Sequence, residues 1–379
     1  MQNTIENMMK QGFTKKFASY YFDLLNKESL SDLYDKKLLE YSHENGFLAE
    51  SISVYNLEDN DITDYLSDSD YYKVWPLNDW TRLWINDKLT LKYMLANTQF
   101  SDAMPEYYFY STNDGLRALI DNPDKDQTFK GFCELLKVKK FFACKPCNGT
   151  ASEGFYKIEF DGSNFRINNV VCAEEELHRF ISAHTNYLFT EYLRPEKSMA
   201  KINSQIHTLR LVVLNKYGIN PAIVGGYLRF GLDGSGAVNY IHTNENGQDS
   251  FNLYSDIDVV NGTFGNTLAV YSNHIEKIDL HPDSKEKLSG SIPYWNEVVD
   301  TVMSICKRFF GIEWMGFDIG ITDKGMKIME INSHPGIKYM QIFSPMLKDK
   351  LLKDYFEEKL RIIDELDDRN RKIRNNIPR

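Results

Sequence analysis

Apolar residues recur three and four positions apart in "KKFASYYFDLLNK" and "LSDLYDKKLLEYSHENG", a spacing that gathers them on one helix face. The first 50 residues therefore read as helices, with Gly46 as a stop. The acidic stretch "NLEDNDITDYLSDSD" breaks the period. It lacks the mid-loop glycine and terminal glutamate of a calcium loop, so it reads as a solvated linker. From Trp75 short strands and helices alternate. "INDKLTLKYMLAN" reads as a helix capped by Asn86 or Asp87. "KVKKFFACKP" reads as a strand entering the loop "CNGTASEG", and "GFYKIEFDGSNFRI" as a hairpin with an Asp-Gly turn. "EEELHRFISAH" is a helix, "NYLFTEYL" a strand, "IHTLRLVVLNKYGINPAIVGGYLRFG" two strands around a turn, and "IPYWNEVVDTVMSICKRFFG" a helix. After Pro345 comes one charged amphipathic helix, a packing helix or a dimer contact.

The pattern is most informative at "MGFDIGITDKGMKIMEINSHPG", residues 315–336, which reads as a tight hairpin. Strand alternation puts Phe317, Ile319 and Ile321 on one face, and Asp318 with Gly316 and Gly320 on the other. Glu330 and Asn332 share a face with Ile328. A three-residue Asp323-Lys324-Gly325 turn, with Gly325 left-handed, pairs 322 with 326 and sets Asp318 opposite Glu330. Facing carboxylates repel in a partly dry place, and a divalent cation removes that cost. Mg²⁺ takes oxygen ligands, commonly one or two carboxylates plus phosphates. The bland alternative is an exposed hairpin with a polar face.

Composition narrows the picture. Hydrophobic residues make up 42% and aromatics 13%, as in a folded globular protein. A formal charge of -10 argues against nucleic acid as partner, because phosphate backbones need concentrated Lys and Arg. No apolar run is long enough for a membrane span and the N-terminus lacks a secretory pattern, so the expected location is cytoplasmic. Five cysteines do not make a disulfide scaffold. Cys144-Lys-Pro-Cys147 is a C-x-x-C, but it ends a strand rather than opening a helix, against a redox role. Lys145 with Gly149, Thr150, Ser152 and Gly154 offers a phosphate cradle without the Walker ending; alone, a plain hairpin turn explains the stretch better. Arg210 sits in an apolar strand and calls for a carboxylate or anion. His207, His242 and His334 lack metal spacing and read as surface or hydrogen-bonded histidines.

In this order, "NDK" at 86–88, "CKPCNGTASEGF", "IHTLRLVVL" and "WMGFDIGITDKGMKIMEINSHPGI" resemble the ATP-grasp superfamily, and within it the sugar-transfer-associated ATP-grasp proteins of bacterial surface-polysaccharide synthesis. The resemblance runs from Trp75 to Pro345. It implies an α+β fold with two α+β lobes holding ATP between antiparallel sheets, an N-terminal helical extension and a C-terminal helix. The expected regions are 1–70 (helical), 71–135 (preceding segment), 136–195 (small lobe and lid), 196–345 (large lobe with the metal site) and 346–379 (C-terminal helix). It further implies Mg²⁺, or Mn²⁺, on Asp318, Glu330 and Asn332; Lys145 and Lys88 on ATP phosphates; residues 149–154 as the lid; Glu191, Tyr192 and Leu193 as the adenine hinge; and Arg210 beside the transferring phosphoryl group. His207 stands where relatives carry asparagine, Val-Asn replaces Asp-Asn in "GAVNYIHTNENG", and Phe317 replaces tryptophan. These departures leave the metal ligands intact and bear on the acceptor pocket.

The activity implied is ADP-forming ligation of a carboxylate to an amine through an acyl-phosphate. Its partners would be small molecules, a carboxylate and an amine, with a nucleotide-linked sugar among the candidates. A kinase acting on a hydroxyl and a non-catalytic nucleotide binder are the rival readings. The first 70 residues carry no motif and are expected to cover the acceptor side or a partner surface.

Overall fold

The computed structural model describes residues 4–149, 154–233, 242–243 and 250–377. Mixed helices surround two antiparallel sheets. The first has seven strands: β1 (Tyr107–Thr112), β2 (Gly115–Ala118), β3 (Phe141–Pro146), β4 (Tyr156–Phe160), β5 (Phe165–Ile167), β6 (Val170–Cys172) and β7 (Tyr187–Glu191), in the order β2-β1-β7-β3-β4-β5-β6. The second has nine: β8 (Thr208–Leu214), β9 (Ala222–Arg229), β10 (His242–Thr243), β11 (Ser250–Ile257), β12 (Thr263–Val270), β13 (Ile275–Lys277), β14 (Gly290–Ser291), β15 (Trp314–Thr322) and β16 (Gly325–Asn332). Its path is β13-β12-β11-β9-β8-β15-β16, with β10 on β11 and β14 on β12.

Alternation sorts the large sheet's residues between two layers. Leu209, Leu211, Val213, Phe317, Ile319 and Ile321 bury themselves with Val298, Val302 and Ile305 of the helix Trp295–Arg308. The opposite face carries Tyr227, Tyr254, Leu268 and Val270, which pack under Phe47, Ile52, Val54, Tyr55 and Tyr65. Next along that face, Val212, Leu214 and Trp314 lie under Leu66, Tyr71, Val74 and the C-terminal residues Leu352, Tyr355 and Phe356. Both ends of the chain thus cover the sheet face that also bears Arg210 and Asp318. In the smaller sheet, Phe142 and Cys144 join the helices Phe129–Lys139 and Glu174–Ala183, leaving Phe141, Ala143 and Lys145 on the other face.

Three expectations change. The acidic stretch is no solvated linker beyond its first residues: Tyr65 and Leu66 are buried, and Asp68 accepts the Leu48 N–H at 2.9 Å. The C-terminal helix is two helices, Lys350–Asp364 and Asp368–Asn375, because Asp367 accepts the Asn370 N–H and starts a second N-terminus. In the key hairpin Thr322 pairs with Gly325 and Ile321 with Met326, one residue off the expected register. A bulge beyond Ile328 takes up that residue at Met329, so Asp318 does oppose Glu330. Gly325 is left-handed as expected, with φ +92. The bulge also pairs Ile328 with Ile319, so Ile328 belongs to the core and not to the Glu330 face.

Candidate active site

Cross-strand pairing lines up Glu330, Asp318, Arg210, Tyr227 and Asp256 in one row across β16, β15, β8, β9 and β11. At its β16 end every carboxylate is held by a cation. Arg210 grips Asp318 with two hydrogen bonds, Nη2 donating to Oδ2 at 2.8 Å and Nε to Oδ1. The Lys88 ammonium lies 3.2 Å from Glu330 Oε2 and donates to the Gly149 carbonyl at 2.9 Å. The Asn332 amide donates to Asp318 at 3.3 Å and to Glu330 at 3.2 Å. Burial pushes Asp318 up, more than Arg210 pulls it down, and the Glu330 charge adds to the rise. Burial pushes Glu330 up too, but Lys88 and its hydrogen-bonding neighbours pull harder and leave it below the ordinary carboxylate range. The two acids are driven apart, as facing carboxylates must be.

This donor set fits Mg²⁺: two carboxylates and an amide, provided the Asn332 amide turns its oxygen inward. Among the described residues no three His, Cys, Asp or Glu side chains gather into a metal site by themselves. A cation here therefore needs further oxygens, and nucleotide phosphates supply that kind of ligand.

Lys145 comes from β3 of the other sheet, where burial and the Lys88 charge bring it down to about 8. The Glu330 carboxylate acts against that fall without reversing it. Asp87 caps the helix Lys88–Leu95 by accepting from Thr90 N, which aims Lys88 at both the loop after β3 and Glu330. Gly154 is left-handed, φ +72, and a side chain there would strike the Tyr187 hydroxyl. Thr150 and Ser152 lie outside the described residues. Glu191, Tyr192 and Leu193 cross from β7 to the large sheet. The Glu191 N–H donates to Glu106 at 2.8 Å and its carboxylate is 3.6 Å from Lys324 of the hairpin turn. The Tyr192 ring lies 5.9 Å from Phe141, Leu193 is buried, and Glu196 N donates to Ile321 at 2.9 Å.

Two residues at the site went unread in the sequence, and the partner of a third did not show there. Lys157 on β4 places its ammonium 4.9 Å from the Phe141 ring and 5.8 Å from Tyr192; the alternation in "YKIEF" held that signal. Asn78 bonds the backbone of Glu313, Trp314 and Ser333, and Asn86 accepts from Ser333 N at 3.1 Å. Asn78 has no sequence signature, whereas Asn86 opens the "NDK" stretch.

Cys144, Cys147 and His207 behave as structural groups. Cys144 and Cys147 are free and buried, and burial pushes both thiols up, Cys147 to about 12, opposite to a redox-active pair. His207 is buried between Met199 O and Gly231 N, and burial takes it down to about 4. Burial and the Lys16 charge pull His334 down to about 3. The His242 side chain lies outside the described residues.

The family described as sugar-transfer associated ATP-grasp matches residues 76–353. No curated protein matches the chain. Among solved structures it is similar to a D-alanine–D-alanine ligase from Bacillus anthracis, with 14% identity over 76% of this chain and 70% of that one, TM-score 0.39. D-alanyl-alanine synthetase A from Vibrio cholerae gives 15% identity over 74% and 67%, TM-score 0.41. A RiPP-associated ATP-grasp ligase from Chryseobacterium gregarium gives 9% over 73% and 61%, TM-score 0.33.

Proposed function

The chain belongs to the sugar-transfer associated ATP-grasp family, and from that premise we propose that it is an ATP- and Mg²⁺-dependent ligase joining a carboxylate to an amine. The observation that carries the reading is the convergence of Lys88, Arg210, Asp318, Glu330 and Asn332 at one end of the sheet row. Phosphoryl transfer depends mainly on positioning and charge neutralisation, and this cluster offers both.

In this reading a carboxylate oxygen attacks the γ-phosphorus, the bond to the β,γ-bridging oxygen breaks, and ADP leaves with that electron pair. The amine nitrogen then adds to the acyl carbon, phosphate departs and the amine loses a proton. Lys145 and Lys88 balance phosphate charge, and Arg210 balances the charge on the phosphoryl group in transit. Asp318, Glu330 and Asn332 would hold Mg²⁺, or Mn²⁺ in its place, which supplies further neutralisation of the phosphates. Residues 149–154, Thr150 and Ser152 among them, close over the phosphates, and Glu191, Tyr192 and Leu193 hold adenine largely through backbone groups. The family's description as sugar-transfer associated supports a sugar acid or amino acid of surface-polysaccharide synthesis as the acid.

The test supplies Mg-ATP, hydroxylamine as a general amine and a panel of uronic acids, nucleotide-linked uronic acids and amino acids. ADP with a hydroxamate of one acid is the expected result. ADP that depends on an added hydroxyl compound, without hydroxamate, would make the protein a kinase. Bound but unspent ATP across the panel would favour a non-catalytic binder.

A further inference from the structure

Beside the row lies a second buried polar cluster that the ligase chemistry leaves unused. Asn78 caps the helical stretch 79–86, Arg82 stands in its middle and Asn86 ends it. The outer two both bind Ser333: Asn78 donates to its carbonyl at 3.2 Å, and Asn86 accepts its N–H at 3.1 Å. Arg82 stands between them. It is 2% exposed, and its Nε and Nη2 have no hydrogen-bond partner. Among the described residues no carboxylate pairs with it.

Its guanidinium is 5.2 Å from the Trp75 ring. The same ring has the Lys16 ammonium at 4.6 Å and stacks on Phe17 at 4.8 Å. Phe17 in turn meets His334 at 5.6 Å, and neither ring nitrogen of His334 has a hydrogen bond of normal geometry. A buried guanidinium without a partner is costly, and its planar fork of donors suits a carboxylate or phosphate. The helix Lys15–Ser29, which brings Lys16 and Phe17, belongs to the motif-free N-terminal region.

We propose that Arg82, with Lys16 on the same Trp75 ring and His334 against Phe17, receives an oxyanion of the acid substrate, a carboxylate or a phosphate. The word "substrate" rests on the ligase reading; the anion site does not. Ser333 couples the site to Asn332, the residue before it, so an anion held by Arg82 sits next to the phosphoryl-transfer centre.

The test uses full-length protein saturated with Mg-AMP-PNP, which fills the phosphate positions of ATP. Calorimetric titrations with inorganic phosphate and with glucuronate are run on the wild type, Arg82→Met and Lys16→Gln. The wild type should bind at least one anion, and which one distinguishes a phosphorylated from a carboxylate-bearing acid. Arg82→Met should weaken that binding at least tenfold, leave AMP-PNP affinity unchanged, and melt no lower than wild type. A merely structural arginine would instead lower the melting temperature and leave anion affinity alone. No binding of either anion to the wild type, or wild-type affinity in Arg82→Met, overturns the proposal. Should Arg82→Met fail to fold, Lys16→Gln decides: weakened binding supports the site and unchanged binding overturns it. Anion binding through Arg82 in a protein that makes no hydroxamate would keep this site and remove only the ligase reading.

Discussion

Arg210 and Lys88 each neutralise one of two facing carboxylates, so substitutions there act on two groups at once. Asp318→Ala strands the buried Arg210 charge and should cost about 3–5 kcal/mol in urea unfolding. Glu330→Gln keeps the shape but turns one of two accepting oxygens into a donor beside Lys88 or Asn332, so it should cost about 1–3 kcal/mol in urea unfolding while kcat falls on the order of 100-fold or more. A Glu330→Gln protein with full turnover would remove the cation assignment. Lys145 offers a pH test. Burial and the Lys88 charge bring it down to about 8, below the ordinary lysine value of 10.5. Between those values the unfolded chain holds a proton that the folded chain has lost, so this group alone makes stability rise with pH there. Phosphate favours the charged form, so Mg-ATP binding at about pH 8.5 should take up a proton. Calorimetry in buffers of different ionisation enthalpy reads this, and Lys145→Met should abolish it. The oxygens of 318, 330 and 332 were legible because two strands joined by a tight turn fix their own pairing. The grip of Arg210 on Asp318 was not, because β8 and β15 are neighbours in space across a separation of 108 residues.

At the scale of elements, the key hairpin shows how a right pairing can have an unforeseen cause. The turn sets one register at Gly325, and the bulge at Met329 converts it to the one that faces Asp318 with Glu330. Hydrophobic alternation carries no mark of a bulge, since "IMEIN" alternates well enough either way. The helices and strands after Trp75 were legible because each has its own period and stop signals. The acidic stretch misled because the burial of Tyr65 and Leu66 is a tertiary event, decided by Tyr227 and Met346 beyond the local window. Asn78 is the clamp between elements, with four hydrogen bonds to the start of β15 and the turn after β16. Asn78→Ala should cost about 2–3 kcal/mol in urea melts by leaving buried backbone groups unpaired. It should also lower kcat, with little change in nucleotide affinity, by loosening Ser333 and Asn332.

For the whole molecule, the large sheet has an apolar outer face that cannot be left in water. Residues 47–77 cover Tyr227, Tyr254, Leu268 and Val212, and the C-terminal helices close over the next part. Deleting residues 1–70 should therefore give aggregated chains, seen in the void volume of a sizing column, rather than a smaller active enzyme. The two ends are bolted together as well: Asn375 accepts the Lys15 N–H at 2.7 Å, and Arg374 donates to the carbonyls of Gly12, Lys73 and Trp75. That closure sets a timetable. The ribosome makes the N-terminal segment first, yet its sheet partners appear only with β8 to β15 and its bolt only with residues 374 and 375. At about 5–20 residues per second, the aromatic segment from Phe13 to Trp75 waits tens of seconds for its partners, which makes birth rather than working life the time of greatest exposure to aggregation.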